Sequence, residues 1–365
     1  MWSNFSLPFL FDTKVTSRAP GRLEMTVIVR GAFRLAPGQP VEPLLDFGAL
    51  ALQGDVFGAE DDDRTGAVLH ASDYADFKLR TDLLLRGACY PAEAGATSCT
   101  ARFAVGEWSK SVRVFGRRVW TDQAHHPFSE PEPFDVMPIT YANAFGGPGF
   151  AENPVGKGHQ TAELPNVEDP AALLRSRRDR PAPACFGALS PSWPQRCDKL
   201  GAGYRRERRK TGGQFKPSDL DWSYFNSAPV DQQRPGYLRG DEQVVFEHLH
   251  PQAARFSACL PGIGPRVFVR RTDGFTGEVA MNLDTFVADL DNERGVLLWR
   301  GLVEVHDAQL DDVATLLVGS EPIAQPLPAA HYLVELEALD RARRSEQRRA
   351  AEAPPTTQRS WSAPA

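Results

Sequence analysis

The stretch Leu23 to Leu35, LEMTVIVRGAFRL, sets Leu23, Met25, Val27, Val29, Gly31, Phe33 and Leu35 on one face and mostly polar residues on the other. A period of two sustained over that length does not fit a helix, whose apolar positions recur three and four apart. It specifies a long, half-buried strand, and its length suits the centre of a sheet. The pattern returns from Phe77 to Tyr90, where Phe77, Leu79, Leu83 and Leu85 oppose Lys78, Arg80, Asp82 and Arg86. Thr100 to Trp120 reads as a hairpin: ARFAV and KSVRVFG flank Gly106-Glu107, with glycine where a positive φ is cheap. Strands are expected again at Glu242 to Leu249, Arg266 to Arg271, Glu278 to Asp284 and Gly295 to Val305. The last, GVLLWRGLVEV, is apolar on both faces and so belongs inside a sheet. VIVRGAFRL (27–35) and LLWRGLVEV (297–305) share a hydrophobic-Arg-Gly centre, a hint of two related β halves.

Between Tyr141 and Asn226 the chain becomes rich in Gly, Pro, Trp and Arg. One helix is expected there, from Asp169 to Arg178, because Asp169-Pro170 fits an N-cap followed by proline at the first helical position. Irregular stretches this long inside a compact protein are either functional or disordered. Phe186, Trp193, Tyr204, Phe215, Trp222, Tyr224 and Phe225 oppose disorder, which is poor in aromatics. Helical periodicity appears late, in Ala308 to Val318 and in Ala329 to about Glu352. The expected fold is therefore mainly β: two antiparallel β-sandwich or open-barrel halves packed together, at 1–140 and 227–320. The Gly/Pro/aromatic-rich region 141–226 joins them, and a C-terminal helix within 321–352 and a flexible tail at 353–365 follow.

At 365 residues with 42% hydrophobic content, the chain is long enough for a sizeable core. A net charge of -6 gives no general attraction to nucleic acid or an anionic membrane. No window approaches the length of a membrane span. The N-terminus, MWSNFSLPFLFDTK, lacks a basic region and an unbroken apolar run, so it reads as an edge strand. Cys89, Cys99, Cys185, Cys197 and Cys259 are scattered with no C-x-x-C, which suits free thiols in a reducing, cytoplasmic setting.

Several motifs invite chemistry. NAFGGPGFAENPVGKGH (143–159) resembles a phosphate loop, but Ala151 stands where the first Walker glycine belongs and Gly158 where Ser or Thr would hold Mg²⁺. Pro154 also lacks the N–H such a loop needs. Phe145, Gly146, Gly147, Asn153, Pro154 and Gly156 instead suit a rigid structural loop: glycines for positive φ and close approach, prolines for stiffness, and Asn153 bonding its own backbone. His248 and His250, two apart on an expected strand, would share a face and could begin a metal site, but no third ligand stands at a sensible spacing. His125 and His126, as adjacent residues, point apart. No G-x-S-x-G elbow and no cysteine-protease signature is present. The acidic run Glu60 to Asp63 is a solvated turn, because acid/base pairs need unequal environments. No cofactor and no metal are expected. RRERRK (205–210), with Arg175, Arg177, Arg178 and Arg180 nearby, is the sharpest basic cluster, and it suits an acidic protein partner or a solvated face. DLDWSYFNSAPVD (219–231) follows the irregular region. Its Trp222, Tyr224 and Phe225 either cover the core or, with Arg205, Arg206, Arg208 and Arg209, meet a partner.

Taken together, PITYANAFGGPGFAENPVGKG, FNSAPVDQQRPGYLRGDEQVVFEHLHP with its following LPG (260–262), VIVRGAFRL and SDYADFKLRTDLLLRGACYP carry a resemblance over about residues 5–310. The chain resembles a bacterial family, formerly of unknown function, encoded beside VgrG spike, PAAR-tip and toxin genes of type VI secretion. The resemblance implies a non-enzymatic adaptor or chaperone that binds a secreted toxin and helps load it onto a VgrG or PAAR spike. Where that family commonly shows Tyr-x-Arg-Ala-Phe-Gly-Gly, this chain has Asn143 in place of the basic residue. The competing readings are a metal-dependent hydrolase using His248 and His250, and a carbohydrate-binding β-sandwich using exposed tryptophans.

Overall fold

The alternation at 23–35 folds as a 13-residue strand, Arg22–Arg34, buried along most of its length. A computed structural model of the protein describes residues 2–5, 8–19, 22–45, 54–58, 67–123, 125–211, 219–306 and 310–352. The run Glu60 to Asp63, Phe215, the tail at 353–365 and the side chain of Arg208 lie outside the described residues. In chain order the strands of the three principal sheets are β1 (Trp2–Phe5), β2 (Phe9–Ala19), β3 (Arg22–Arg34), β4 (Arg80–Arg86), β5 (Ser98–Val105), β6 (Trp108–Phe115), β7 (Val167–Glu168) and β8 (Gln233–Pro235). They continue as β9 (Gln243–His250), β10 (Ala253–Cys259), β11 (Ile263–Arg271), β12 (Thr276–Val279), β13 (Asn282–Asp289), β14 (Arg294–Val305) and β15 (Val313–Pro322). The longer helices are α1 (Ala202–Thr211) and α2 (Ala329–Glu352).

The mainly β expectation holds. One sheet has six strands in the order β8-β4-β13-β14-β3-β2, one has five in the order β7-β6-β5-β9-β10, and one has four in the order β1-β15-β11-β12. The contact between the two halves of the chain is more intimate than adjacency. β3 pairs antiparallel with β14 from Leu23↔Val305 to Arg34↔Arg294, and β5 pairs with β9, so strands from both halves share both larger sheets. Most pairings are antiparallel, but β13 runs parallel to β4 and β15 runs parallel to β1. The inner faces meet in one core, where Phe103 of β5 stacks on Phe246 and lies 6.1 Å from Phe286 of β13.

Two helix expectations are overturned. Asp169 to Arg178 is irregular because carboxylates take the amides a helix would use. Glu168 accepts from the Leu174 N–H at 2.7 Å, and Asp179 accepts from the N–H groups of Arg175 and Ser176 at 2.7 and 2.8 Å. Of the helix expected at Ala308 to Val318, Ala308 and Gln309 lie outside the described residues, and Val313 to Val318 belong instead to strand β15, buried on both sides, where apolar residues run on without alternation. One of its faces joins the main core through Leu316 and Val318. On the other, Leu317 packs with Phe268 and with Tyr332 and Leu336 of α2. The C-terminal helix itself forms, over Ala329–Glu352.

The glycine-rich loop folds back on itself. Phe145-Gly146 pairs in parallel with Lys157-Gly158, and fully buried Asn153 bridges the turn. Asn153 does not bond its own backbone as expected: its Nδ2 donates across the loop to the carbonyls of Tyr141 (2.8 Å) and Phe145 (3.0 Å). Of Gly146, Gly147 and Gly156, only Gly147 has a positive φ, of 130°. The other two are needed for contact, since a Cβ on Gly146 would lie 2.1 Å from the Asn153 carbonyl oxygen. A Cβ on Gly147 would lie 2.3 Å from the His159 carbonyl oxygen. Gly147→Val is expected to lower stability by about 1–3 kcal/mol from backbone strain alone, and by more once this clash is added. Urea denaturation measures it, and an unchanged midpoint would show that the loop is not built into the fold.

Candidate functional site

Successive side chains of a strand point to opposite faces. β14 therefore sends Leu297, Trp299 and Gly301 into the core, and Arg294, Val296, Leu298 and Arg300 to the outer face of the six-stranded sheet. β3 does the same with Gly31 inward and Arg30 outward. The Arg-Gly centre common to both strands now has a physical account. A Cβ on Gly31 would meet the Phe9 ring at 3.0 Å, and one on Gly301 would meet Met281 Sδ at 2.6 Å, so the glycines make room for core side chains. The arginines enter a cavity of about 370 Å³. Its floor is β3, β4, β13 and β14, and its walls are the segment from Leu69 to Asp73 together with Gly187, Ala188 and Ser227.

A buried ion network closes one end of this cavity. Arg300, 2% exposed, pairs with the carboxylate of Asp284 and donates to the Asp73 carbonyl at 2.7 Å. Arg30 pairs with the Asp73 carboxylate at 2.9 Å. Lys78 pairs with Asp82 at 2.6 Å and donates to Thr285 Oγ1 at 2.8 Å. Asp82 also accepts from Asn226 Nδ2 and the Ser227 N–H, each at 2.8 Å, which pins the end of the connecting region to β4. Burial by itself opposes ionisation of Asp82, but Lys78 and the donors from Asn226 and Ser227 outweigh it and hold its carboxyl below the usual range. Burial pushes Asp284 upward against the pull of Arg300. Just behind, burial and the nearby Arg300 bring Lys14 down to about 8.

At the other end Arg86 donates to His70 Nε2 at 2.9 Å and reaches Asp291 at 3.5 Å. Asn292 donates to Asp289 Oδ2 at 2.8 Å. Burial, then the Arg86 charge, lowers the His70 pKa, so this imidazole stays neutral at physiological pH.

The aromatic and basic residues expected at a partner surface separate. Trp222–Phe225 is a 3₁₀ turn, which Asp221 caps by accepting from the Ser223 N–H. Tyr224 and Phe225 are buried with Leu200, Tyr204 and Leu220 beneath α1, and half-buried Trp222 packs against them and edge-on to Phe77. RRERRK lies on α1, whose N-terminal Gly203 N–H is taken by Asp219 at 2.7 Å. Arg205, Arg206, Arg209 and Lys210 are exposed there.

The two histidines of β9 do not converge. A bulge between Glu247 and His250, with His248 at φ 56°, breaks the alternation that would have put both rings on one face. His250 contacts Glu293 at 3.2 Å, while His248 Nδ1 is buried without a partner. Among the described residues no three His, Cys, Asp or Glu side chains are grouped to hold a metal ion, and no helix is long and apolar enough to cross a membrane. Cys89, Cys99 and Cys185 are buried free thiols, Cys197 is half-buried and Cys259 exposed. A hydrogen bond from Cys89 draws the Cys99 thiol down to about 6 and drives Cys89 up.

A family model matches residues 20–300. The chain belongs to that family. It is described as an uncharacterized protein conserved in bacteria, DUF2169. Every residue lining the cavity, from Arg30 to Arg300, falls inside the DUF2169 span, whereas β1, β2, β15 and α2 lie outside it. No curated protein and no solved structure matches the chain.

Sequence reasoning missed this cavity because its charges sit on five separate segments. The signal that could have found it is the Arg-Gly pair at the centre of both strands, Arg30-Gly31 and Arg300-Gly301. Removing the charge of Asp82 tests the network: Asp82→Asn strands Lys78 in the interior and is expected to cost about 3–5 kcal/mol. Because Asp82 has a folded pKa below the ordinary value of about 3.9, its contribution is complete above that pH and is lost as pH falls through the folded value. Urea midpoints measured from neutral to strongly acidic pH should show a steeper acid decline in the wild type than in Asp82→Asn.

Proposed function

We propose that the protein is a non-enzymatic cytoplasmic adaptor and chaperone, which binds a type VI secretion toxin and promotes its loading onto a VgrG or PAAR spike. The motif resemblance supports this reading, and the observation that carries it is the surface of α1. Arg205, Arg206, Arg209 and Lys210 project from a helix that rests on a closed aromatic floor. A cationic patch on a chain of net charge -6 can orient an acidic partner without any reacting group. The aromatics contribute as the floor that holds the helix in place, with Tyr204, Tyr224 and Phe225 buried and Trp222 half-buried.

Co-expression with candidate toxin and spike proteins, followed by pull-down and size-exclusion chromatography, tests the proposal. A stable complex with a toxin is expected. Arg206→Glu with Arg209→Glu should slow association at low salt, with the difference shrinking as salt rises. Failure to bind any candidate toxin would overturn the adaptor reading. Association unchanged by charge reversal would move the contact surface away from α1.

A further inference from the structure

A second cavity, which the adaptor reading does not use, lies between the start of β6 and the connecting region. Lys110 and Ser111 of β6, Tyr141, the segment 182–184, Gln195 and the segment 228–231 line it. Its volume of about 550 Å³ lies within the range of small-molecule sites, roughly 300–1,000 Å³.

Two buried polar atoms of its lining residues have no hydrogen-bond partner, Tyr141 Oη and Gln195 Oε1. Tyr141 is 2% exposed, and its ring is held edge-on against Trp193 at 5.0 Å. Burial raises the pKa of its phenol well above the usual value, so the hydroxyl keeps a proton to donate. Gln195 Nε2 donates to the Glu152 carbonyl at 2.9 Å, which fixes the orientation of the side-chain amide and leaves Oε1 as an acceptor. Unmatched buried groups are costly, and a ligand that meets both relieves the cost.

The charges on the wall balance and so select no ion: Lys110 and Lys199 stand against Asp169 and Asp231. Lys110 spends its three donors on Asp231 at 2.7 Å, Gln232 Oε1 at 2.7 Å and the Cys185 carbonyl at 2.9 Å. Lys199 donates to the Ser223 carbonyl at 3.3 Å, and burial lowers its pKa. A carboxylate would bring acceptors alone and an ammonium donors alone, whereas an amide carries one of each on neighbouring atoms. Ala184, Leu189, Ala228 and Pro229 supply apolar wall, which an aliphatic body covers at less cost than a polyol whose hydroxyls would go unpaired.

We propose that this cavity binds a neutral amide, whose carbonyl accepts from the Tyr141 hydroxyl, whose N–H donates to Gln195 Oε1, and whose aliphatic body lies against Leu189 and Pro229. Such chemistry has two sources, a small free amide or the backbone of a polypeptide segment.

Thermal-shift and calorimetric titrations of the full chain with N-acetylleucinamide, N-acetylleucine, leucinamide, glucose and a capped Ala-Ala-Leu-Ala peptide decide the matter. The two neutral amides are expected to raise the melting temperature saturably, with the acid, the amine and the sugar far weaker. Tighter binding of the capped peptide would indicate a polypeptide segment as the source, and tighter binding of N-acetylleucinamide a small amide. Tyr141→Phe removes a hydroxyl that has no partner in the free protein, so it should melt no lower than wild type yet bind the amides about fivefold more weakly, the scale of one neutral hydrogen bond. Gln195→Met should weaken them by a similar factor. No saturable shift with either amide, equal binding of the acid, amine or sugar, or amide binding unchanged in both variants would overturn the proposal. So would a lower melting temperature in Tyr141→Phe, since the hydroxyl would then be satisfied without a ligand.

Discussion

The antiparallel pairing of β3 with β14 is the constraint on which the rest of the structure depends. It joins residues near opposite ends of the chain, Leu23 to Val305 and Arg34 to Arg294, and so forces both halves into common sheets. It also decides the face of every residue on both strands. A slip of one position would drive Arg30 and Arg300 into the core and put Trp299 and Val29 on the outer face, and the burial of an unpaired guanidinium forbids that. The two glycines beside the arginines let Phe9 and Met281 close over the strands from the inner side. Register, core packing and cavity chemistry thus follow from one ladder. Pairings of such long sequence separation close late and make for slow folding.

The buried charges on the outer face hold the irregular region in place. Ion pairs removed from water recover little net free energy, because desolvation offsets most of the attraction. Their value here is positional. Asp82 neutralises Lys78 while taking donors from Asn226 and Ser227, and Arg300 ties Asp73 to the same floor. The segment 67–78 and the end of the connecting region are therefore referenced to the sheet by directional bonds, with a cavity left between them. Gln232 adds to this by donating to the carbonyls of Leu83 and Phe186 at 2.9 Å each.

Two surfaces of different character result. The cavity on the sheet is enclosed, mixed in polarity and built on strands. The basic face of α1 is open and lies over a separate small core of Tyr204, Tyr224 and Phe225. Nothing in the geometry requires the two to act together. The glycine-rich loop serves neither, since its amides bond within the loop: Gly147 N–H to Asn153 O at 2.9 Å, and His159 N–H to Gly146 O at 2.9 Å. Amides spent in this way are not available to cradle a phosphate.

Local pattern by itself determined the strands that alternate. Arg22–Arg34, Ser98–Val105 and Trp108–Phe115 lie where period two and the Gly106 turn place them, because a half-buried strand writes its environment residue by residue. The glycine-rich turn at Gly146-Gly147 was legible from its composition, but the Asn153 bonds across the loop that close it were not. Strand β15 was not, because burial on both faces erases the period that separates strand from helix. Nor was the loss of the helix at Asp169, where Glu168 and Asp179 outcompete backbone carbonyls from positions no propensity weighs. Only the tertiary structure decided that Trp222 sits on a 3₁₀ turn, that His248 and His250 part at a bulge, and that Arg30, Asp73, Lys78, Asp82 and Arg300 share one interior. Those outcomes depend on which distant segments meet, and that is set by long-range pairing and by the cost of leaving a buried charge alone.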